Sequence, residues 1–197
     1  MPDHYYTPLP ASQHALRQFT ANLFHREFSF LTDAGVFSRD GVDPGTRALI
    51  EAMPPLRGRA LDLGCGWGAA GIPLAKINPQ CAFVLTDVNQ RAADLARKNA
   101  ALNGVEVTVA VGDGFESVSG DFDVIFSNPP IRAGKEKIYG LFAQAHERLA
   151  PEGVLYIVIR KQQGAPSALK YLSGLFAQAE VIDRSGGYWV IAARKGA

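Results

Sequence analysis

Asn128, in the run Ser127-Asn128-Pro129-Pro130-Ile131-Arg132, carries the sharpest chemistry in the chain. An exocyclic amine on a nucleobase is a poor nucleophile because its lone pair is delocalised into the ring. The Asn128 side-chain oxygen and the Pro129 carbonyl are acceptors able to take both amine hydrogens, which turns the lone pair towards an electrophile. Two prolines hold those acceptors rigid, and no side chain of shifted pKa is needed. An Asp at 128 keeps an acceptor oxygen. The same residues also read as a proline-rich loop after a strand.

Three other turns carry compatible chemistry. In Leu61-Asp62-Leu63-Gly64-Cys65-Gly66-Trp67-Gly68, closely spaced glycines let the backbone turn sharply and approach a ligand. Gly66, Gly68 and Gly71 also match GxGxxG, the phosphate turn of a nicotinamide-dependent oxidoreductase. That set starts late, beyond the strand end, and Asp62 would face a pyrophosphate with a like charge. A ligand bearing an ammonium group suits Asp62 instead. Asp87, in Thr86-Asp87-Val88-Asn89, lies 23 positions beyond Gly64, close to the separation at which an acid reaches a ribose diol. It reads equally as an exposed acid leading a helix. Asp113-Gly114 offers a carboxylate and a backbone N–H to an adenine edge, or a plain turn. No hydride-handling His or Tyr-x-x-x-Lys pair accompanies the glycines.

The elements that must position these turns follow from apolar periodicity. Strand-length runs occupy 60–63, 82–86, 105–111, 122–126 and 154–159, several apolar on both faces as a buried parallel sheet demands. Helices are expected from Asn89 to Leu102, from Lys135 to Leu149 with Pro151-Glu152-Gly153 as the stop, and from Pro166 towards Ala179. Ser185-Gly186-Gly187 between two short apolar runs marks a hairpin. Before the sheet, alternation from Arg17 to Leu31 around His25-Arg26 predicts another hairpin. Residues 33–41 are loop, and Asp43-Pro44 starts a helix that ends before Pro54-Pro55. The class is α/β, a three-layer sandwich with an antiparallel edge. In such sheets ligands sit at the carboxyl ends of the strands, where all four turns fall.

Composition narrows the function. The chain has 197 residues, 47% of them hydrophobic, which fits one soluble globular domain. No apolar run approaches the roughly 18 to 20 residues of a membrane helix. Met1-Pro2-Asp3-His4-Tyr5-Tyr6 lacks the basic and apolar regions of a secretion signal, so a cytoplasmic location is expected. A net charge of +1 gives no support to bulk coating of nucleic acid and leaves a local basic patch open. Cys65, Cys81 and the scattered histidines form no metal-ligand pattern, which excludes a metalloenzyme. Trp67 and the Phe19, Phe24, Phe28 and Phe30 set read as packing residues, and His146 as a surface one.

Together, Leu61-Asp62-Leu63-Gly64-Cys65-Gly66 and Asn128-Pro129-Pro130 resemble the cofactor loop and amine motif of class I S-adenosylmethionine-dependent methyltransferases. The match extends to the small-subunit ribosomal RNA methyltransferase C family through Asp33-Ala34-Gly35-Val36-Phe37-Ser38 and the run from Asn128 to Lys135. The resemblance implies a Rossmann-like seven-stranded, mostly parallel sheet over 43–197, preceded by a β-rich extension and cofactor lid over 1–42, in a single domain. It implies S-adenosylmethionine contacts from Phe37, Ser38, Asp62, Gly64, Cys65, Gly66, Asp87, Val88, Asp113, Gly114 and Asn128. Asn128 and Pro129 would be catalytic, with Pro130, Ile131, Arg132 and Lys135 towards the substrate and Lys137 a further phosphate candidate. Many amine methyltransferases carry an aromatic where this chain has Ile131, so base stacking must come from elsewhere. The expected reaction is methylation of guanine N2 in 16S ribosomal RNA, with the RNA or the small ribosomal subunit as partner, no metal, and a monomer or weak dimer. Adenine N6, a protein glutamine, and a non-catalytic cofactor- or RNA-binding module are the alternatives.

Overall fold

A computed structural model describes residues 13–197; Met1 to Tyr6, read above for a signal, and the first part of the 1–42 segment lie outside the described residues. The early alternation forms an antiparallel hairpin of β1 (Arg17–Leu23) and β2 (Arg26–Thr32). Its turn is Phe24-His25, one residue earlier than the alternation placed it, with both residues left-handed at φ 52° and 57°. Two left-handed residues give the twist that a tight hairpin needs. Phe28 and Phe30 are buried, and Phe19 and Phe30 pack on Trp67 at ring-centroid distances of 5.6 and 4.8 Å. Helix α1 (Pro44–Ala52) follows, capped by the Asp43 carboxylate, which accepts from the Gly45 and Thr46 amides.

The remaining strands are β3 (Arg59–Leu63), β4 (Ala82–Asp87), β5 (Thr108–Val111), β6 (Phe122–Ser127), β7 (Leu149–Arg160), β8 (Gln178–Ser185) and β9 (Tyr188–Arg194). They form one sheet in the order β5-β4-β3-β6-β7-β9-β8, parallel except where β9 pairs with its two neighbours. Between them run α2 (Gly71–Ile77), α3 (Gln90–Leu102), α4 (Lys135–Arg148) and α5 (Ala165–Leu175). Two apolar layers cover the sheet. One gathers the hairpin, α1, α2 and α3, the other α4 and α5. No helix of the described residues is long and apolar enough to cross a membrane. Cys65 and Cys81 are both buried and free.

Two boundaries differ from the sequence reading. β5 starts at Thr108, because the Val105 amide is spent on the Ala100 carbonyl, closing off α3. Pro151-Glu152-Gly153 is a bulge inside β7 instead of a loop before it. Leu149 pairs with Phe122, and pairing then slips to Val154 opposite Val124. Gly153 permits the bulge, since a Cβ there would lie 2.8 Å from the Ala150 carbonyl oxygen.

Two asparagines, Asn99 in the last turn of α3 and Asn103 at its C-cap, join the hairpin to the sheet. Asn99, fully buried, accepts from the Leu31 amide at 2.7 Å and donates to the Leu31 and Trp67 carbonyls at 2.9 Å each. Asn103, one turn on, makes the matching pair of bonds with Ser29 at 3.1 and 2.8 Å. Asn99→Ala strands the buried Trp67 carbonyl, at about 1–3 kcal/mol, and the part-buried Leu31 amide and carbonyl, which water can partly meet at lower cost. Urea unfolding should show a loss of about 2–5 kcal/mol. A loss below about 1 kcal/mol would mean that the hairpin is held by its aromatic rings alone.

Candidate active site

Strand order reverses between β3 and β6, and the turns after β3, β4, β5 and β6 meet around one cavity of about 520 Å³. Main-chain and hydroxyl bonds tie those turns together. The Gly64 and Cys65 amides both donate to the Thr86 carbonyl at 2.9 Å, and the Gly112 amide donates to the Asp87 carbonyl at 3.1 Å. Ser127, the last residue of β6, donates its hydroxyl to the Leu63 carbonyl at 2.7 Å. Gly64 is left-handed at φ 77°, with no atom within 4 Å of where a Cβ would stand. Its backbone is therefore open to the cavity.

The two carboxylates of the site are held differently. Asp87 accepts from the Gly66 amide through one oxygen and the Asn89 amide through the other, both at 2.8 Å. Burial pushes its carboxyl up, opposed by those amides and that of Val88. Asp62 is almost completely buried, and its Oδ2 accepts from the Gly71 amide at 2.8 Å. Burial pushes it up to about 7; the Gly71 bond opposes this and nearby Asp87 adds to it. The same burial and the same two carboxylates raise the Cys65 thiol well above its usual range, so Cys65 is a neutral packing group, not a nucleophile.

Among the residues singled out from the sequence, Phe37, Ser38, Asp62, Gly64, Cys65, Gly66, Asp87, Val88, Asp113, Gly114, Asn128, Pro129, Pro130, Ile131, Arg132 and Lys137 all line the cavity. Lys135 does not. It sits in the first turn of α4 with its ammonium 5.2 Å from the centre of the Tyr139 ring. The Asp113 carboxylate is held by Lys137 at 2.7 Å, so neither group is a lone charge. The oxidoreductase reading of the glycines loses two of its three positions. Gly68 and Gly71 lie outside the lining: a Cβ would strike Ile72 at Gly68, and both Asp62 Oδ2 and Leu85 at Gly71, so their bareness serves close packing and the approach of Asp62 to the Gly71 amide. Trp67 is buried and donates its indole N–H to the Phe37 carbonyl at 2.9 Å, fixing the 33–41 loop. His146 is half-buried, edge-on to Phe176, not a free surface residue.

Sequence reasoning missed Asp43, Thr46, Arg160, Gln163 and Tyr188 as lining residues. Arg160 ends β7 and pairs in register with Tyr188, which begins the antiparallel β9, so both emerge at the strand ends that carry the site. The Arg160 guanidinium lies 5.2 Å from the Tyr188 ring centre. The edge of that ring also approaches Gly45, where a Cβ would be 2.8 Å from Tyr188 Cε1. Applying the strand-end rule to the fifth parallel strand would have found Arg160.

Asp62 gives the protein a pH-dependent stability of definite sign. Its carboxyl ionises near 4 in the unfolded chain and near 7 in the fold. Its contribution is fully present below about 4 and is lost as pH rises towards 7, because only the unfolded chain releases the proton in that window. Denaturant unfolding from about pH 5 to 8 should show the wild type losing stability relative to Asp62→Asn. Parallel curves for the two proteins would show that the carboxyl ionises normally in the fold.

Comparison with known proteins agrees with this geometry. The chain is 39% identical to the uncharacterized protein YbxB of Bacillus subtilis, over 99% of this chain and 100% of that one. It is 30% identical to ribosomal RNA small subunit methyltransferase C of Vibrio parahaemolyticus, covering 95% of this chain and 56% of that enzyme. The T. thermophilus 16S rRNA N2 methyltransferase, solved in complex with AdoMet and guanosine, superposes with a TM-score of 0.83 at 26% identity, over 94% of this chain and 52% of that one. The chain thus spans about half the length of these two methyltransferases. A family model described as the methyltransferase small domain matches residues 27–192, and the chain belongs to that family.

Proposed function

We propose that this protein transfers a methyl group from S-adenosylmethionine to guanine N2 of 16S ribosomal RNA. The observation that carries the reading is that Asn128-Pro129-Pro130 and the Gly64–Asp87 pair open into the same cavity. The residues present fit the cofactor. Both Asp87 oxygens accept main-chain N–H groups, and a carboxylate has about four lone-pair sites, which leaves acceptor capacity for the ribose hydroxyls. Asp62 would face the ammonium of the methionine end, whose charge would favour the ionised carboxylate. Gly64 and Gly66 would let the chain lie against that end, Val88 would border the ribose, and Gly114 would offer its amide to the adenine beside the Asp113–Lys137 pair. The volume suits a ligand of that size. When bound, the cofactor supplies a methyl group made electrophilic by a positively charged sulfur.

The chain's own residues prepare the other reactant. Asn128 Oδ1 and the Pro129 carbonyl accept the two amine hydrogens, and Pro130 keeps the turn rigid. A base reaches them only after leaving its stack. The ring that Ile131 does not supply comes from Tyr188, backed by Arg160, while Arg132 stands at the rim for a flanking phosphate. Phe37 and Ser38, in the 33–41 loop held by Trp67, border the cavity as its lid.

Asp87→Ala removes a bidentate, charge-assisted contact and should weaken S-adenosylmethionine by about 10- to 150-fold, or about 1.5–3 kcal/mol; calorimetry showing unchanged affinity would remove Asp87 from the cofactor site. Asn128→Ala should leave that affinity within a few-fold and slow single-turnover methylation about 10²- to 10³-fold. Labelled methyl transfer to 16S RNA, small subunits and large-subunit RNA, with a thermal melt on the same preparation, reads both rate and target. A folded Asn128→Ala protein that methylates normally would end the amine-holding mechanism, and label confined to large-subunit RNA would move the substrate.

A further inference from the structure

The Asn128 amide is planar and two-faced, with an oxygen at one corner and an NH2 at the other. Only the oxygen can accept from an amine. The NH2 end sets donor against donor, so activity depends on which corner faces the cavity. The groups packed around the amide decide it. Asn128 Nδ2 lies 3.4 and 3.3 Å from the two Asp43 carboxylate oxygens and 3.1 Å from Thr46 Oγ1. These residues stand 85 and 82 positions away in the chain, at the start of α1.

Every one of these neighbours is an acceptor. An ionised carboxylate has no hydrogen to give. The Thr46 hydroxyl could be either, but its hydrogen is directed to Asp43 Oδ2, so towards Asn128 it presents a lone pair. Asp43 is itself immobilised, accepting from the Gly45 amide at 2.9 Å and the Thr46 amide at 3.3 Å. Thr46 is buried. Turning the amide over would press its oxygen against a carboxylate and a hydroxyl lone pair. Among the described residues none donates to Asn128 Oδ1, so that corner is left to the cavity.

We propose that Asp43, with Thr46, is a positioning residue that locks the Asn128 amide with its oxygen towards the target amine. The proposal rests on the amine-holding role of Asn128. Asp43 touches no reacting atom; it acts through Asn128, and its helix-capping duty and its catalytic duty use the same two oxygens. The arrangement also changes what an Asp at 128 would do. Taken from the sequence alone, Asn128→Asp keeps an acceptor. Here it sets two carboxylates side by side, where they repel or must share a proton.

The test uses variants that keep the cap. Asn and Ser are as good at a helix N-cap as Asp, so Asp43→Asn and Asp43→Ser should fold and melt close to wild type. Neither presents a full carboxylate to Asn128, and the NH2 group introduced by Asp43→Asn would trap the Asn128 amide turned over. In single-turnover methylation Asp43→Asn should lower the maximal rate about 10- to 100-fold, with S-adenosylmethionine affinity and half-saturating RNA concentration unchanged within a few-fold. Asn128→Asp alone should be as poor or poorer. The exchange Asp43→Asn/Asn128→Asp restores one donor facing one carboxylate, and should recover at least about tenfold over Asn128→Asp. A purely structural role for Asp43 predicts lowered melting temperature and no recovery in the exchange. Full maximal rates in the folded Asp43 variants, or an exchange no better than Asn128→Asp, would overturn the positioning role. If Asn128→Ala is itself fully active, it is the amine-holding reading that has failed; a slow Asn128→Ala beside a fast Asp43→Asn fails the positioning role alone.

Discussion

The site depends on a topological constraint before it depends on any side chain. From β3 the chain crosses over outward to β4 and β5, then returns to the opposite side of β3 to form β6 and β7. Right-handed crossovers in both directions carry the connections away from the gap between β3 and β6, and no helix can fill it. The gap persists at the carboxyl end, where β3, β4, β5 and β6 all stop. Polar groups at those ends must find partners, and they find one another: Ser127 with Leu63, Gly64 and Cys65 with Thr86, Gly112 with Asp87. A rigid, concave wall is the outcome of satisfying main-chain groups that have nowhere else to go.

That origin explains which parts of the site could be read in the sequence. Asp62 and Asp87 stand at the ends of strands announced by apolar runs, and Gly64, Asp113 and Asn128 follow such strands, so position along the chain locates them in space. The antiparallel end was legible as a hairpin at Ser185-Gly186-Gly187, yet its use was not. Only the register opposing Arg160 to Tyr188 shows that a strand beginning there shares an edge with strands that end there. Helix α2 went unread for local reasons: it has seven residues, no side-chain cap and an internal proline, Pro73, so propensity says little and burial against the sheet decides. Pro151-Glu152-Gly153 misled in the opposite sense, because turn-forming residues also make bulges.

Asp43 was legible as a helix cap from the Asp43-Pro44 pair, and its second role was not. Capping is a property of adjacent residues. The contact with Asn128 exists only because α1, packed across β7 and β9, brings its start beside the turn after β6, which no local pattern encodes. Functional residues of this kind, already explained by a structural duty, are those that sequence reading passes over. Trp67 is similar: its ring packs under the hairpin while its N–H holds the loop that borders the cavity.

The asparagine pair at the carboxyl end of α3 has a bearing on how the chain behaves in company. An isolated hairpin of two seven-residue strands is marginal in water, and its unpaired edges are templates for another chain. On the outer edge of β2, Ser29 and Leu31 would offer bare amides and carbonyls; Asn103 and Asn99 meet both groups of each. A helix thereby stands in for a third strand, its side chains repeating the two-residue spacing of a sheet ladder along one face. That side of the hairpin can recruit no neighbour. The protein carries a strand-rich appendage without the stickiness that such an edge would bring to a crowded solution.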